Sequence, residues 1–499
     1  MQAPAQKNSD DPTAALLQTE PAARTIGGEE GMNVDEMLTR FAGEFGPWQL
    51  RQFLLTSLAW ILCAFQVMAV VFADRESARP VPCPVGIRLG RAWWLARSTV
   101  EEWGLTCGEK YKVGLAQSAF FVGSMAGAAF FGHVSDSFLG RKGVLTLTCF
   151  LLTVFSLLTA FSPSFFIYSF LRFLSGLSTG GVGLSAFVLA TEPVGPSFRA
   201  AAAMSTFHFF SIGSISLSFT SLLLPSWRLL YVATSLPSLL FLLLALPFIS
   251  ESPRWHLVHR NLPAAMQIIR AVAKTNGYSI PDRAILVHDA DPTRPVRTAS
   301  IVDVMRSHVT RPRLILGFLI NFLISVSYYG LTLNVANLGP EIHASAILNA
   351  VAEMPAYALT AVALRWHGRR PMAVTSMWLC GFFCFAAGAF VKAARMGCAA
   401  VAIFAVAATY NLMYVCTAEL FPTEVRNAAL GCVTLAGQMG AVAAPVVVAV
   451  GGKWGYGVFG GCAVVAGGLG LRLPETRKQP LYETMAGLEG GEKGKGEAG

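Results

Sequence analysis

Apolar residues along this chain collect in long runs, and short polar segments separate one run from the next. A helix that spans a bilayer needs about 20 apolar residues, and twelve of the runs approach or reach that length. They cover residues 52–72, 113–133, 143–161, 165–190, 200–224, 228–249, 314–334, 344–364, 371–391, 397–418, 428–450 and 455–473. The eighth and the twelfth are the weakest, because Glu353 and a run of glycines dilute them. The pattern predicts an all-α membrane protein with twelve transmembrane helices.

The polar segments divide the chain into five parts. We predict a cytoplasmic N-terminal segment at 1–51, a six-helix half at 52–249 with an outside loop at 73–112, a cytoplasmic linker at 250–313, a second six-helix half at 314–473 and a cytoplasmic tail at 474–499. Residues 1–34 have the composition of a disordered segment. Within the linker, Ala264 to Lys274 has the pattern of an amphipathic helix, and we interpret the linker as a solvated connection.

The second half of the chain repeats charged positions of the first. The offsets fall between 224 and 228 residues, and the pairs are Glu192 with Glu419, Arg199 with Arg426, Gly140-Arg141 with Gly368-Arg369, and Glu251 with Glu475. Such an offset is typical of transporters built from two parallel six-helix repeats. The repeat is incomplete in one respect, because the position that matches Asp136 is Leu364.

Composition excludes other classes of protein. Hydrophobic residues make up 54% of the 499 residues and charged residues only 13%, which excludes an ordinary soluble domain. The net charge of +9 comes from basic residues between the apolar runs, so it indicates membrane topology and not nucleic-acid binding. The sequence contains no nucleotide-binding loop, metal-ligand cluster or nucleophile motif, so we expect neither an enzyme nor a cofactor.

The most specific motif is a short turn between the second and third runs. It reads Gly132-x-x-x-Asp136-x-x-x-Gly140-Arg141-Lys142, and Gly140 can adopt the positive φ of a tight turn. This turn resembles the loop between helices 2 and 3 of the major facilitator superfamily. The resemblance implies that fold, with two six-helix halves and transport by alternating access.

Further motifs narrow the resemblance. The segments Glu251-Ser252-Pro253-Arg254-Trp255, Glu419-Leu420-Phe421-Pro422-Thr423 with Arg426-Asn427, and Pro474-Glu475-Thr476-Arg477 resemble the organic cation/anion/carnitine transporters. The segments 325–333 and 352–357 look most like the carnitine/organic cation branch, and the short outside loop without an Asn-x-Ser/Thr sequon looks like the plant members. The resemblance implies a carrier of small organic cations or carnitine-like zwitterions. A sugar or organic-anion carrier, or a receptor that has lost transport, remain alternatives.

The charged residues at the cytoplasmic helix ends are candidate gate residues. They can pair across the two halves when the inner gate is shut, and an exposed pair contributes about 1 kcal/mol or less, which suits a gate that must open. The set is Asp136, Arg141, Glu192, Arg199, Glu251, Arg254, Arg369, Glu419, Arg426 and Glu475. We expect Asp136 to steady the outward-facing state together with Arg141 and Arg426. The alternative, a topology signal alone, suits Lys142 and Arg370 better than the carboxylates.

Polar and aromatic residues within the runs are candidate substrate contacts. Glu353 is costly at membrane depth unless it meets a cation, a proton or a structural partner such as Arg172. Tyrosine faces attract ammonium groups, although helix packing explains any single tyrosine equally well. The candidates are Glu353, Gln438, Tyr328, Tyr329, Asn334, Tyr357, Tyr410 and Asn411.

Gln438 is chosen through the resemblance. In animal members of the family, the matching position tends to carry Asp in cation transporters and Arg in anion transporters. A neutral amide there suits a zwitterion, and the alternative is that Gln438 merely packs beside Gly437 and Gly440.

The sequence also predicts a disulfide, the membrane location and the oligomeric state. Cys83 and Cys107 share the outside loop, and we expect a disulfide between them. We expect the protein in the plasma or vacuolar membrane with both termini cytoplasmic, as a monomer, with the lipid bilayer as surroundings and protons as a possible coupling ion.

Overall fold

The computed structural model describes residues 24–26, 29–75, 96–109, 111–281, 283–286, 301–334, 342–363, 367–451, 454–476, 485 and 488–489. Within them the chain forms eighteen α-helices, five short π- or 3₁₀-helical segments and three short strands. The helices are α1 (Val34–Met37), α2 (Pro47–Ala73), α3 (Thr99–Trp103), α4 (Tyr111–Val134), α5 (Gly140–Ala160), α6 (Phe165–Thr191), α7 (Pro196–Ser205), α8 (Phe207–Leu223), α9 (Trp227–Leu240), α10 (Pro253–Val258), α11 (Leu262–Asn276), α12 (Ile301–Arg306), α13 (Thr310–Leu333), α14 (Ile342–Ala363), α15 (Arg369–Ala389), α16 (Lys392–Leu420), α17 (Thr423–Gly451) and α18 (Trp454–Gly470). The strands are β1 (Arg24–Ile26), β2 (Glu29–Met32) and β3 (Ala284–Leu286).

Each of the twelve predicted spans coincides with a helix or a pair of continuous helices. Span five is α7 followed directly by α8, and span six is α9 continued to Phe248. Among the described residues, ten of these spans are long and apolar enough to cross a membrane by length and composition. The other two are α14 and α18, the two that Glu353 and the glycines weaken. The prediction of twelve membrane helices is confirmed.

The first half is held together by close helix contacts. α4 and α6 cross with glycines facing each other, and a Cβ atom added to Gly123 or Gly176 would collide with the backbone carbonyl of Phe173 or Phe120. α2 packs on α6, α8 and α9, and α5 packs on α6 and α9. The glycines of α6 therefore permit the close approach of α4.

The second half has the corresponding arrangement. α13 packs on α17, α18 and α16, α15 packs on α16 and α18, and α14 packs on α16. The halves meet mainly through α4 against α17 and α8 against α14. We call the end of the bundle that carries α3 the loop end, and the end that carries α10 and α11 the linker end.

The N-terminal segment and the linker form a small unit at the linker end. β2 pairs with β1 in antiparallel and with β3 of the linker in parallel orientation. α11 is amphipathic as predicted, and its buried side chains pack against Met37, Leu38 and Trp48. The expectation of disorder is therefore wrong for 24–26 and 29–34, and the linker is not merely solvated, because these apolar faces cover each other.

Candidate functional site

A buried carboxylate lies where the two halves meet. Glu353 of α14 is 2% exposed, and its Oε2 accepts hydrogen bonds from the hydroxyls of Tyr357 (3.3 Å) and Ser211 (3.4 Å). Tyr357 follows one helical turn later on α14, so both side chains share a face, whereas Ser211 belongs to α8 of the first half. The carboxylate thus bridges the halves. The described part of the chain records no ion pair on Glu353, and a buried charge without one is costly.

A group of tyrosines extends from this carboxylate. The rings of Tyr328 and Tyr410 are stacked with centroids 4.9 Å apart, and Tyr329 meets them edge-on at 5.2 and 6.3 Å. The hydroxyl of Tyr328 lies beside Glu353. Tyr329 also meets Phe121 of the first half at 4.9 Å. These rings offer electron-rich faces next to a carboxylate, which is an arrangement that attracts an organic cation.

The three other predicted substrate contacts, Asn334, Asn411 and Gln438, differ in where their side chains lie. Asn334 is buried at the end of α13, and the amide of Asn411 donates to the carbonyl of Ala407 in its own helix. Gln438 is half-buried on α17, one turn before Val442, whose carbonyl accepts a hydrogen bond from Ser118 of α4 at 2.7 Å. Since residues four apart share a helix face, Gln438 lies on the face of α17 that is turned towards the first half.

Arg172 does not pair with Glu353. It is fully buried, and its Nη2 donates to Oε1 of Gln117 at 2.6 Å, while its guanidinium lies 4.4 Å from the ring centroid of Phe120. Its charge acts on Asp74 instead, the residue that ends α2. The alternative in which Arg172 is the partner of Glu353 is therefore wrong for this structure, because α6 turns the arginine into its own half.

Asp74 is a polar residue that the sequence did not single out. Its Oδ1 accepts hydrogen bonds from Tyr168 at 3.3 Å and from Thr99 of the loop segment. Burial raises the pKa of the Asp74 carboxyl to about 6, although these hydrogen bonds and the charge of Arg172 oppose the shift. The position of Asp74 just after an apolar run is the only sequence signal that it gave.

At the linker end of the first half, predicted gate residues contact one another. Glu251 accepts from the backbone N–H groups of Arg141 at 3.2 Å and Lys142 at 2.9 Å, at the start of α5. Gly140 has a φ of +76°, as predicted, and a Cβ atom there would collide with the Glu251 carboxylate. Arg141 lies 3.6 Å from Glu192. Burial raises the pKa of the Glu192 carboxyl above its usual value, although a hydrogen bond from Ser252 opposes this.

Asp35 joins the N-terminal segment to these charges. Its Oδ1 accepts from Arg199 at 2.5 Å and from Arg254, so two predicted gate arginines share one carboxylate. Nearby, Glu44 accepts from the backbone N–H of Ser197 at 3.0 Å, at the start of α7. The sequence gave no signal for Asp35, because its partners lie more than 160 residues away.

In the second half, Glu475 and Glu419 repeat the contacts of Glu251 and Glu192. Glu475 accepts from the backbone N–H groups of Arg369 at 2.9 Å and Arg370 at 3.1 Å, and Arg369 forms two hydrogen bonds to Glu419 at 3.1 and 3.2 Å. None of the gate pairs recorded among the described residues crosses between the halves. Pairing across the halves stays a prediction for another conformation.

Three predictions fall outside the described part of the chain. The side chains of Asp136 and Arg426 are not described, so their gate roles stay predictions. Cys83 and the side chain of Cys107 are likewise outside it, and the disulfide stays a prediction.

Comparisons with known proteins agree with this architecture. Residues 92–487 match the family model described as sugar (and other) transporter. Organic cation/carnitine transporter 4 of Arabidopsis thaliana is 49% identical over 98% of this chain and 97% of its own length. Organic cation/carnitine transporter 3 of the same plant is 31% identical over 91% and 93%, and an organic cation transporter protein of Drosophila melanogaster is 30% identical over 91% and 94%.

The fold also matches solved structures. An inward-open structure of the xylose transporter of E. coli aligns with a TM-score of 0.65 over 89% of this chain and 99% of that one, at 15% identity, which shows the fold alone. The membrane helices, the two similar halves and the named relatives all indicate the same family of transporters. The chain belongs to the organic cation/carnitine transporter family of the major facilitator superfamily.

Proposed function

We propose that this protein is a secondary transporter that moves small organic cations or carnitine-like zwitterions across a membrane by alternating access. The observation that carries the proposal is Glu353, a buried carboxylate at the contact between the halves with tyrosine rings beside it. A bound ammonium group would supply the positive charge that this carboxylate needs. The names of the relatives, which are organic cation and carnitine transporters, support the same substrate class.

The tyrosines and Glu353 have separate roles in this proposal. The faces of Tyr328 and Tyr410 hold the methylated ammonium group, and Glu353 neutralises it. Gln438 lies on the inner face of α17 and can hydrogen-bond a carboxylate or hydroxyl of the substrate without repelling it. A proton is the other cation that can neutralise Glu353, so proton coupling belongs to the proposal.

Contacts at the loop end and at the linker end support alternating access. The hydrogen bond from Ser118 to Val442 lies near the loop end of α4 and α17, and the gate charges at the linker end pair within their own halves. We infer a conformation closed at the loop end, in which the linker end faces the cytoplasm. Opening the loop end would bring the gate charges of the two halves together, with Asp136 and Arg426 among them.

The proposed environment follows the sequence prediction. We propose a monomer in the plasma or vacuolar membrane with both termini in the cytoplasm. The basic segments at the linker end support this orientation, since short cytoplasmic segments carry an excess of Lys and Arg.

A sugar or organic-anion carrier is the alternative within transport. An anion carrier needs an arginine that faces the substrate, and Arg172 contacts Gln117 and Phe120 instead. A receptor without transport is the alternative from another class.

Uptake into proteoliposomes tests the proposal. The purified protein would be given radiolabelled choline, carnitine, tetraethylammonium, xylose and p-aminohippurate, each with and without a pH gradient. We expect saturable uptake of a cation or of carnitine, above empty liposomes. Uptake of xylose or p-aminohippurate alone would contradict the proposal, and binding without uptake of any of them would favour the receptor. A pH gradient without effect would remove the proton from the mechanism.

A further inference from the structure

His343 connects the two halves at the loop end. It lies in the first turn of α14, and a hydrogen bond joins its Nδ1 to Oγ of Ser221 at 3.0 Å. Its ring also stacks on Phe72, with centroids 5.3 Å apart and planes 10° from parallel. Ser221 belongs to α8 and Phe72 to α2, both in the first half. One side chain of the second half is therefore held by two helices of the first.

The contact belongs to an ordered seam between α8 and α14. These helices run antiparallel, so Phe207 meets Tyr357, Ser211 meets Glu353, and ten residues further along α8, Ser221 meets His343. Ten residues of helix correspond to about 15 Å. The proposed substrate carboxylate and His343 thus lie in one seam, with His343 at its loop end.

We propose that His343, Ser221 and Phe72 form a latch that holds the loop end shut and must release before the transporter opens there. The inference rests on the alternating access of the proposed function. When two halves rock apart at one end, the contacts at that end separate most, and the latch contacts exist only while it is closed. They therefore stabilise the closed state selectively. A hydrogen bond and an aromatic stack together bias such an equilibrium by about 5- to 150-fold.

Hydrogen–deuterium exchange of the full-length protein in nanodiscs tests the latch. The variants are His343→Ala, Ser221→Ala and Phe72→Leu, and His133→Ala is the control, since His133 is an exposed histidine of the same chain. We expect His343→Ala to speed exchange at least threefold in peptides from the loop ends of α8 and α14. The same variant should slow exchange at the linker end, because the halves close there. The control should leave both ends unchanged.

A combined variant separates the latch from simple loss of stability. If Ser221 acts through His343, His343→Ala with Ser221→Ala should give the same exchange as His343→Ala alone. Faster exchange at both ends, or no change at the loop end, would overturn the latch. The measurement needs no substrate, so failure of every cation to be taken up would contradict the proposed function while a shifted exchange pattern still supported the latch.

Discussion

Glu251 offers a sharp test of how the linker end is built, because Glu475 repeats its geometry in the other half. Each carboxylate accepts two backbone N–H groups at a helix start, at 2.9 and 3.2 Å for Glu251 and at 2.9 and 3.1 Å for Glu475. Glu251→Gln keeps the shape of the side chain but turns one acceptor oxygen into an NH₂ donor, which would face a backbone N–H. Oε1 of Glu251 also accepts from the backbone N–H of Ser252 at 2.8 Å, so a Gln amide that keeps its oxygen at that position loses the hydrogen bond from Lys142.

The size of the effect follows from that loss. A hydrogen bond to a charged group contributes about 1.5–3 kcal/mol, and a negative charge at a helix N-terminus adds about 0.3–1 kcal/mol. Since Glu251 is only half-buried, we expect a loss near the lower limit, about 2 kcal/mol. For a cooperative unit of about 200 residues, this lowers the unfolding temperature by about 4–8 °C.

Thermal unfolding in detergent, followed by tryptophan fluorescence, measures this shift. Glu475→Gln should give a similar decrease, because it makes the same contacts in the second half. Glu109→Gln is the control, since the Glu109 side chain is 50% exposed and its substitution should change little. If both Glu251→Gln and Glu475→Gln unfold within one degree of the wild type, the reasoning about these helix starts is refuted.

Three further predictions concern other parts of the bundle. Glu102→Ala removes the carboxylate that lies 2.5 Å from Arg228, whose side chain is 1% exposed. Breaking a buried ion pair costs about 3–5 kcal/mol of folding free energy, so the unfolding temperature should fall further than for Glu251→Gln. An equal or smaller fall would contradict this. Gln438→Asp should raise choline uptake relative to carnitine and Gln438→Arg should abolish choline uptake, whereas an unchanged choline-to-carnitine ratio in the Asp variant would place Gln438 outside the site. Because burial raises the pKa of Asp74 from 3.8 to about 6, the folded protein binds a proton at Asp74 more tightly than the unfolded chain does. The contribution of this proton to the free energy of unfolding is lost as the pH rises through about 6. Lowering the pH from 7 to 5 should therefore raise the unfolding temperature less in Asp74→Asn than in the wild type.

The membrane helices could be predicted because their signal is local. A run of apolar residues identifies a span by itself, and the twelve runs correspond to the observed helices even at α14 and α18, where the signal is weakest. The glycine at 140 was also predictable, since a positive φ depends on the residue itself.

Partners distant in sequence could not be predicted. Strand β2 pairs with β3 about 250 residues later, and three or four residues carry no readable alternation. Asp35 was missed for the same reason. Arg172 was located correctly within a span, but its partner depends on how α6 is rotated about its axis, and composition does not encode that rotation.

For the gate charges, one feature could be predicted from the sequence and another could not. Their repetition in the sequence indicated equivalent roles, and Glu251 and Glu475 do make equivalent contacts. The pairs recorded among the described residues do not cross between the halves, which agrees with the proposed conformation, in which the two linker ends are apart. A single sequence cannot say which of two conformations a charge pair belongs to.

Choline binding to Glu353→Gln tests the central claim most directly. The affinity of radiolabelled choline would be measured by scintillation proximity on purified wild type and on Glu353→Gln, with Glu36→Gln of the N-terminal segment as the control. If Glu353 neutralises the bound cation, its loss should weaken choline binding at least tenfold, which is about 1.4 kcal/mol, while the control binds as the wild type does. Equal choline affinity in Glu353→Gln and the wild type would contradict the account.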